Sequence, residues 1–255
     1  MQPEQPEQPA SALDGLAEAI RFLTIIPIPF WRSHPQGMAR SFPFFPLAGL
    51  VLGTLLALAY ALGRALWSDM VGAVLAVALW AILTSGLHLD GLSDTFDAVM
   101  SWRSRERKLE IMRDSRIGAM GAIALVSVML LKLAFLVAAG GHAWAALLVA
   151  PAFGRWAMVY AMVRFPLARK DGLGRSVQQH VRMLHVALAG VVALAAALLL
   201  GGPAGLLALA LGLPAAHLLA RWWTNDLGGL TGDTYGALCE LSEVVVLATM
   251  SLAIW

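Results

Sequence analysis

Runs of twenty or so mostly apolar residues decide what this chain can fold into. They lie near 44–66, 71–88, 119–139, 143–163, 184–202 and 204–222, with a shorter one at 244–255. A bilayer core of roughly 30 Å takes about 20 such residues per helix. The runs therefore predict an all-α, polytopic transmembrane bundle of about six to seven spans. Composition agrees: of 255 residues 59% are hydrophobic and 13% charged, with mean hydropathy +0.73, whereas a soluble domain carries about a quarter charged residues.

Upstream of the first span, LDGLAEAIRFLTIIPIPFW (13–31) alternates apolar and charged positions and then meets Pro27 and Pro29. It reads as an amphipathic interfacial helix ending at the prolines, or as a re-entrant segment. MQPEQPEQPASA (1–12) is polar, Pro-rich and acidic, so a disordered extension is expected there. It lacks the basic and apolar regions of a cleavable signal. Residues 13–255 read as a single membrane domain. The lone Cys239 excludes an internal disulfide and a Cys-based zinc site.

Loop charges orient the bundle. With the N-terminus in the cytoplasm, fifteen of the 18 Lys and Arg fall on the inner side, Arg64 falls outside, and Lys132 and Arg155 lie within spans. The same topology puts Asp90, Asp94, Asp97, Asp114, Asp226, Asp233, Glu240 and Glu243 on the cytoplasmic side and Asp69 outside. Chemistry is expected at the cytoplasmic face.

HLDGLSDTFD (88–97) is the densest acidic feature. If the second span continues as a helix through residue 97, Asp90, Asp94 and Asp97 stand at i, i+4 and i+7, on an arc roughly 60° wide. Like charges so placed repel unless a cation sits among them. Oxygen-only donors suit Mg²⁺ or Mn²⁺, usually with substrate phosphate completing the shell. The alternative is a solvated face that ends a span. His88, a turn away, is a candidate base, a partner to the acids, or a helix-end residue.

SWRSRERKLEIMRDSRIGAMGA (101–122) reads as a charged cytoplasmic helix. It either follows the positive-inside rule and touches anionic lipid, or its arginines clamp a phosphate beside the acids; Arg113, Asp114 and Arg116 crowd that end. DLGGLTGDTYG (226–236) is a Gly-rich loop with Thr231 and Asp233, able to approach a ligand closely or simply to turn. It is not a P-loop. Lys132 and Arg155 are costly within a membrane and are candidates for function, for snorkelling or for neutralising a carboxylate.

GLHLDGLSDTFDAVMSWRSRERKLEIMRDSRIGAMGA (86–122) resembles the signature of the cobalamin synthase family, adenosylcobinamide-GDP ribazoletransferases of the bacterial inner membrane. GGLTGDTYGALCELSE (228–243) resembles its C-terminal signature, and FLTIIPIP (23–30) with FPFFPLAGLVLG (42–53) its N-terminal one. Ala98 stands where the family usually has Gly, and the PEQPEQP extension lies outside the pattern. The resemblance implies that α-ribazole, or its 5′-phosphate, attacks the cobinamide-linked phosphorus of adenosylcobinamide-GDP and releases GMP in a Mg²⁺-dependent step. It implies a multi-pass enzyme of the inner membrane, with active-site loops cytoplasmic and no nucleic-acid partner. On this reading Asp90, Asp94 and Asp97 hold the metal, and His88 or an aspartate such as Asp94 takes the hydroxyl proton. Arg113, Asp114, Arg116, Arg155, Thr231 and Asp233 contact substrate.

Two other readings are weighed against it. A CDP-alcohol phosphotransferase shares the chemistry, but its D-G-x-x-A-R…G-x-x-x-D-x-x-x-D pattern fails here, with Asp94 in the arginine's place. A transporter would hold its acids near the midplane, whereas these gather at one face.

Overall fold

The computed structural model describes residues 11–29, 31, 34, 36–169 and 180–252. The expected disordered extension lies outside the described residues except for Ser11 and Ala12, as do Arg32, Lys170, Arg175 and the last three residues of the final apolar run. Among the described residues the fold is helical, apart from one bridge between Leu167 and Leu230.

Helix α1 (Ala12–Leu23) starts at a capping box in which Ser11 and Asp14 exchange side-chain-to-backbone hydrogen bonds. It stops at Leu23, well short of residue 31. Thr24 is extended, and its hydroxyl donates to the Ile20 carbonyl at 2.7 Å. The Ile25 N–H then leaves for Leu83 at 2.8 Å. β-Branched residues followed by prolines favour that extended path.

A short α2 (Gly37–Ser41) and a 3-10 turn lead into α3 (Phe45–Leu66), which α4 (Asp69–Leu83) pairs with on its return. After α5 (Leu87–Val99) and α6 (Arg105–Ile111) come α7 (Ala119–Ala139), α8 (Ala143–Arg164), α9 (Met183–Leu227) and α10 (Gly232–Met250). At the centre stands α8, almost wholly buried against α3, α9 and α10. Small residues permit this closeness. A Cβ on Gly49 would stand 2.5 Å from the Pro151 carbonyl, and one on Gly154 would stand 2.9 Å from the Cys239 sulfur.

Residues 37–66, 119–164 and 183–227 are long and apolar enough to cross a membrane. The last two stretches hold 46 and 45 residues, about 70 Å of helix against a bilayer core of roughly 30 Å. Each doubles back at a glycine, Gly140 (φ 52°) and Gly202 (φ 55°). At this far end Tyr60 donates to Asp69 at 2.8 Å and to the Gly140 carbonyl at 3.1 Å, while Arg64 pairs with Asp69 at 3.0 Å.

Three sequence expectations change. The second span ends at Leu83, not 88: Ser85 (φ 51°) and Gly86 (φ 65°) enter the left-handed region, and α5 leaves at 86° to α4. The 101–122 stretch is not one helix, because α6 covers only Arg105–Ile111 before a loop leads to α7. The final helix begins at Gly232 rather than 244, which draws Glu240 and Glu243 off the boundary expected for them and into the bundle, 1% and 0% exposed. Lys132 and Arg155 supply the charges that make this tolerable, as described next.

Candidate active site

The bend at residues 84–86 lays α5 across the start of α10, and glycine makes the crossing close. A Cβ on Gly91 would stand 2.6 Å from the Asp233 carbonyl oxygen, and one on Gly236 would stand 3.1 Å from His88. Asp90 and Asp94, on one face of α5, thereby come up to Asp233. Burial, then repulsion from Asp90, Asp233, Asp97 and Asp114, pushes the Asp94 carboxyl up to about 7. Carboxylates that oppose one another's ionisation form an oxygen-only donor set of the kind a hard divalent cation takes.

Asp97 is turned differently. Its carboxylate accepts the Gly118 N–H at 2.7 Å and the Gly121 N–H at 2.8 Å, so it caps the first turn of α7. Among the described residues, no three His, Cys, Asp or Glu side chains already stand in metal-binding geometry.

Two cavities flank α5. One of about 810 Å³ is lined by His88, Asp90, Asp233, Tyr235, Met158 and Arg40, among others. The other, about 630 Å³, opens beside Arg21, Ser93 and Ile117. Phe22, Leu87 and Asp90 belong to both.

The expected phosphate contacts divide. Arg113 is exposed. Arg116 donates to Asp114 at 2.6 Å, and that pairing holds the Asp114 carboxyl down at about 2. Arg155 is 1% exposed; its guanidinium pairs with Glu243, and Nη2 stands 3.3 Å from His88 Nδ1. Lys132 meets Glu240 at 2.8 Å and Glu243 at 2.5 Å, under the Trp80 ring at 3.9 Å. Two cations and two carboxylates thus neutralise one another in the bundle.

In the Gly-rich loop, Thr231 caps α10, accepting the Thr234 N–H at 3.2 Å and donating to Asp233 at 3.3 Å. Gly228 (φ 74°) ends α9, and Gly229 (φ 151°) packs on the Leu167–Ala168 backbone. Those two glycines serve the chain's own turn; Gly232, which has open space beside it, lines the larger cavity.

Sequence reasoning passed over several contributors. Arg105 donates to the Leu227 carbonyl at 2.6 Å and Lys108 to Asp226 at 2.6 Å, docking α6 on the end of α9. Glu240 and Glu243 brace the bundle, and Tyr235 lines the cavity. The i, i+3 spacing of Glu240 and Glu243, set against two unpaired cations in the spans, was the available signal.

Fold and site together define a class: an all-helical protein with helices suited to a membrane, whose acids gather beside a large cavity at one end of the bundle. Residues 15–251 match the family model for cobalamin-5-phosphate synthase, and the chain belongs to that family. A relative from Roseiflexus sp. is 57% identical over 93% of this chain and 89% of its own. One from Herpetosiphon aurantiacus is 50% identical over 92% and 95%, and one from Escherichia coli 39% identical over 91% and 96%. Each of these relatives is named adenosylcobinamide-GDP ribazoletransferase. No solved structure matches the chain.

Proposed function

We propose that this chain is a Mg²⁺-dependent adenosylcobinamide-GDP ribazoletransferase of the bacterial inner membrane, with its acidic end towards the cytoplasm. The observation that carries the reading is the meeting of Asp90 and Asp233 at the wall of a cavity, with Asp94 close enough to feel both charges, in a chain whose relatives bear that name.

In this reaction a hydroxyl oxygen of α-ribazole, or of its 5′-phosphate, forms a bond to the cobinamide-linked phosphorus. The bond from that phosphorus to the GMP oxygen breaks, and the corrinoid keeps the phosphorus as a phosphodiester. Bound magnesium would neutralise charge on the diphosphate and on the departing GMP. Asp90 and Asp94 would hold it with Asp97, whose carboxylate also keeps its two backbone donors, and Asp233 would close the set from α10. Asp94 has its carboxyl at about 7 in the absence of metal; a bound cation would favour its ionised form, which can accept the hydroxyl proton. Arg113 and Arg116 lie on the loop after α6 and would reach phosphate from the solvent side, Arg116 by exchanging Asp114 for it. That Asp90 borders both cavities supports a reading in which two substrates in separate chambers would meet beside it.

The test is turnover by detergent-purified protein given adenosylcobinamide-GDP, α-ribazole 5′-phosphate and Mg²⁺, with products followed by mass spectrometry. GMP and a corrinoid phosphodiester are expected, and both should vanish with EDTA. Absence of product from folded protein would overturn the reading, and a lipid product from a CDP-alcohol would replace it.

A further inference from the structure

Two polar side chains in the wall of the larger cavity are buried and lack partners among the described residues. They are His88 through Nε2 and Tyr235 through its hydroxyl, at 1% and 3% residue exposure. Burying such groups unpaired is costly, so they mark places where a partner is missing. His88 also shows which of its nitrogens carries hydrogen. Its Nδ1 faces Arg155 Nη2 at 3.3 Å, and a guanidinium only donates. Nδ1 must therefore accept, and the proton of the ring sits on Nε2. Glu243 fixes the arginine in turn, so the tautomer is set by residues with no access to the cavity.

We propose that a Glu243–Arg155 brace locks His88 as the Nε2–H tautomer. His88 and Tyr235 then form a donor subsite for a neutral acceptor on the apolar body of a substrate, such as a ring nitrogen or a carboxamide oxygen. Glu243 and Arg155 are positioning residues. Neutrality of the acceptor follows from the surroundings. Lys132 and Arg155 are matched by Glu240 and Glu243 behind this wall, so that quartet offers no surplus positive charge to an anion; Arg40, which also lines the cavity, stands on α2 and is exposed. The same cavity carries Asp90 and Asp233, and Met158 and Met162 line it with apolar surface. Phosphate belongs with the acids and their cation, and the uncharged end of a substrate with His88 and Tyr235. An Nε2 that already carries hydrogen cannot take a proton, which leaves the base role to a carboxylate.

The subsite rests on the reaction proposed above only for its two probe ligands, α-ribazole 5′-phosphate and adenosylcobinamide-GDP. The full chain, labelled with ¹⁵N-histidine in detergent, is observed by ¹⁵N NMR, and the His88 signals are identified by their loss in His88→Gln. The expected spectrum has a protonated Nε2 and a bare Nδ1, with Nε2 moving when one of the two substrates is added. Glu243→Gln should blur this into a tautomer mixture. Tyr235→Phe should raise the KM or Kd of the substrate that moves Nε2 about five- to tenfold, with a smaller change in kcat. A wild-type spectrum in which the His88 signals show Nδ1 protonated, or mixed, overturns the lock whether or not Glu243→Gln and Tyr235→Phe fold. An Nε2 signal that neither substrate moves, together with unchanged constants in Tyr235→Phe, overturns the subsite. If the protein binds a substrate but never makes corrinoid product, the reaction fails while the spectrum still decides the lock.

Discussion

Asp94 is hemmed in by four other carboxylates and is only partly buried, and that environment has a pH signature. Its carboxyl stands at about 7 in the fold against an ordinary 3.8, so the folded chain holds this proton more tightly than the unfolded one. The stability it contributes is fully present below the ordinary value and is lost as pH rises through about 7. In EDTA, the melting temperature should therefore fall between about pH 5 and about pH 8, and Asp94→Asn should flatten the curve. Magnesium should raise the wild-type melting temperature more at the alkaline end, where the carboxylate is free to bind it. Equal stabilisation of Asp94→Asn would remove Asp94 from the metal set. Asp97 gives the contrasting case. Asp97→Ala loses both bonds that cap α7, at a cost of about 1–2 kcal/mol, whereas Asp97→Asn keeps an acceptor there. If Asp97→Asn melts like wild type yet turns over at least about tenfold more slowly, Asp97 is a ligand as well as a cap. The spacing of Asp90, Asp94 and Asp97 was legible because all three sit on one helix, where periodicity fixes their face. That Asp97 would spend both oxygens on α7 was not, because no local pattern records which helix start lies opposite.

At the scale of elements, the site is the crossing of α5 over the start of α10. Local patterning could find each helix's residues but not their angle. Hydropathy ran smoothly into Leu87, and nothing in Thr84-Ser85-Gly86 apart from the glycine announced an 86° turn with Ser85 at φ 51°. The last helix was misplaced for a related reason: a span located by apolar runs starts after the charges stop, so 232–243 read as boundary. Gly91 reports on the crossing directly. Gly91→Ala would press its Cβ against the Asp233 backbone, 2.6 Å from the oxygen, and overpacking of this kind costs about 1–3 kcal/mol. We expect a melting temperature lower by several degrees, with activity reduced further than stability because Asp90 and Asp94 move away from Asp233. Gly232→Ala has open space around it and should melt within about a degree of wild type, since substitutions clear of packing are near neutral. Equal behaviour of the two variants would mean that the helices do not approach as closely as Gly91 and Gly236 indicate.

Across the whole molecule, what needs explaining is how four buried charges persist inside an apolar bundle. Each of Lys132, Arg155, Glu240 and Glu243 is at most 2% exposed, and α10, which carries the two acids, is distant in sequence from α7 and α8, which carry the two cations. The arrangement is neutral in sum and held by opposed pairs, which is the condition for burying charge at all. The sequence showed the two cations as anomalies in their spans and showed the two acids as ordinary boundary residues, so the match emerged only with the fold. Neutrality, rather than any single ion pair, should then be what stability tracks. Lys132→Met strands Glu240 and part of Glu243, and uncompensated buried charge costs about 3–5 kcal/mol. Lys132→Met combined with Glu240→Gln removes one charge of each sign and leaves Arg155 with Glu243. Its stability should return to within about 1 kcal/mol of wild type, because replacing a buried ion pair with uncharged groups is often neutral. Melting of monodisperse detergent-purified protein reads the difference, and the His88–Arg155 contact, untouched in the double variant, should keep its tautomer signature. Should the double variant melt as low as Lys132→Met alone, the lysine's own contacts, including its place under Trp80, would outweigh charge balance, and the quartet would be four separate interactions rather than one neutral unit.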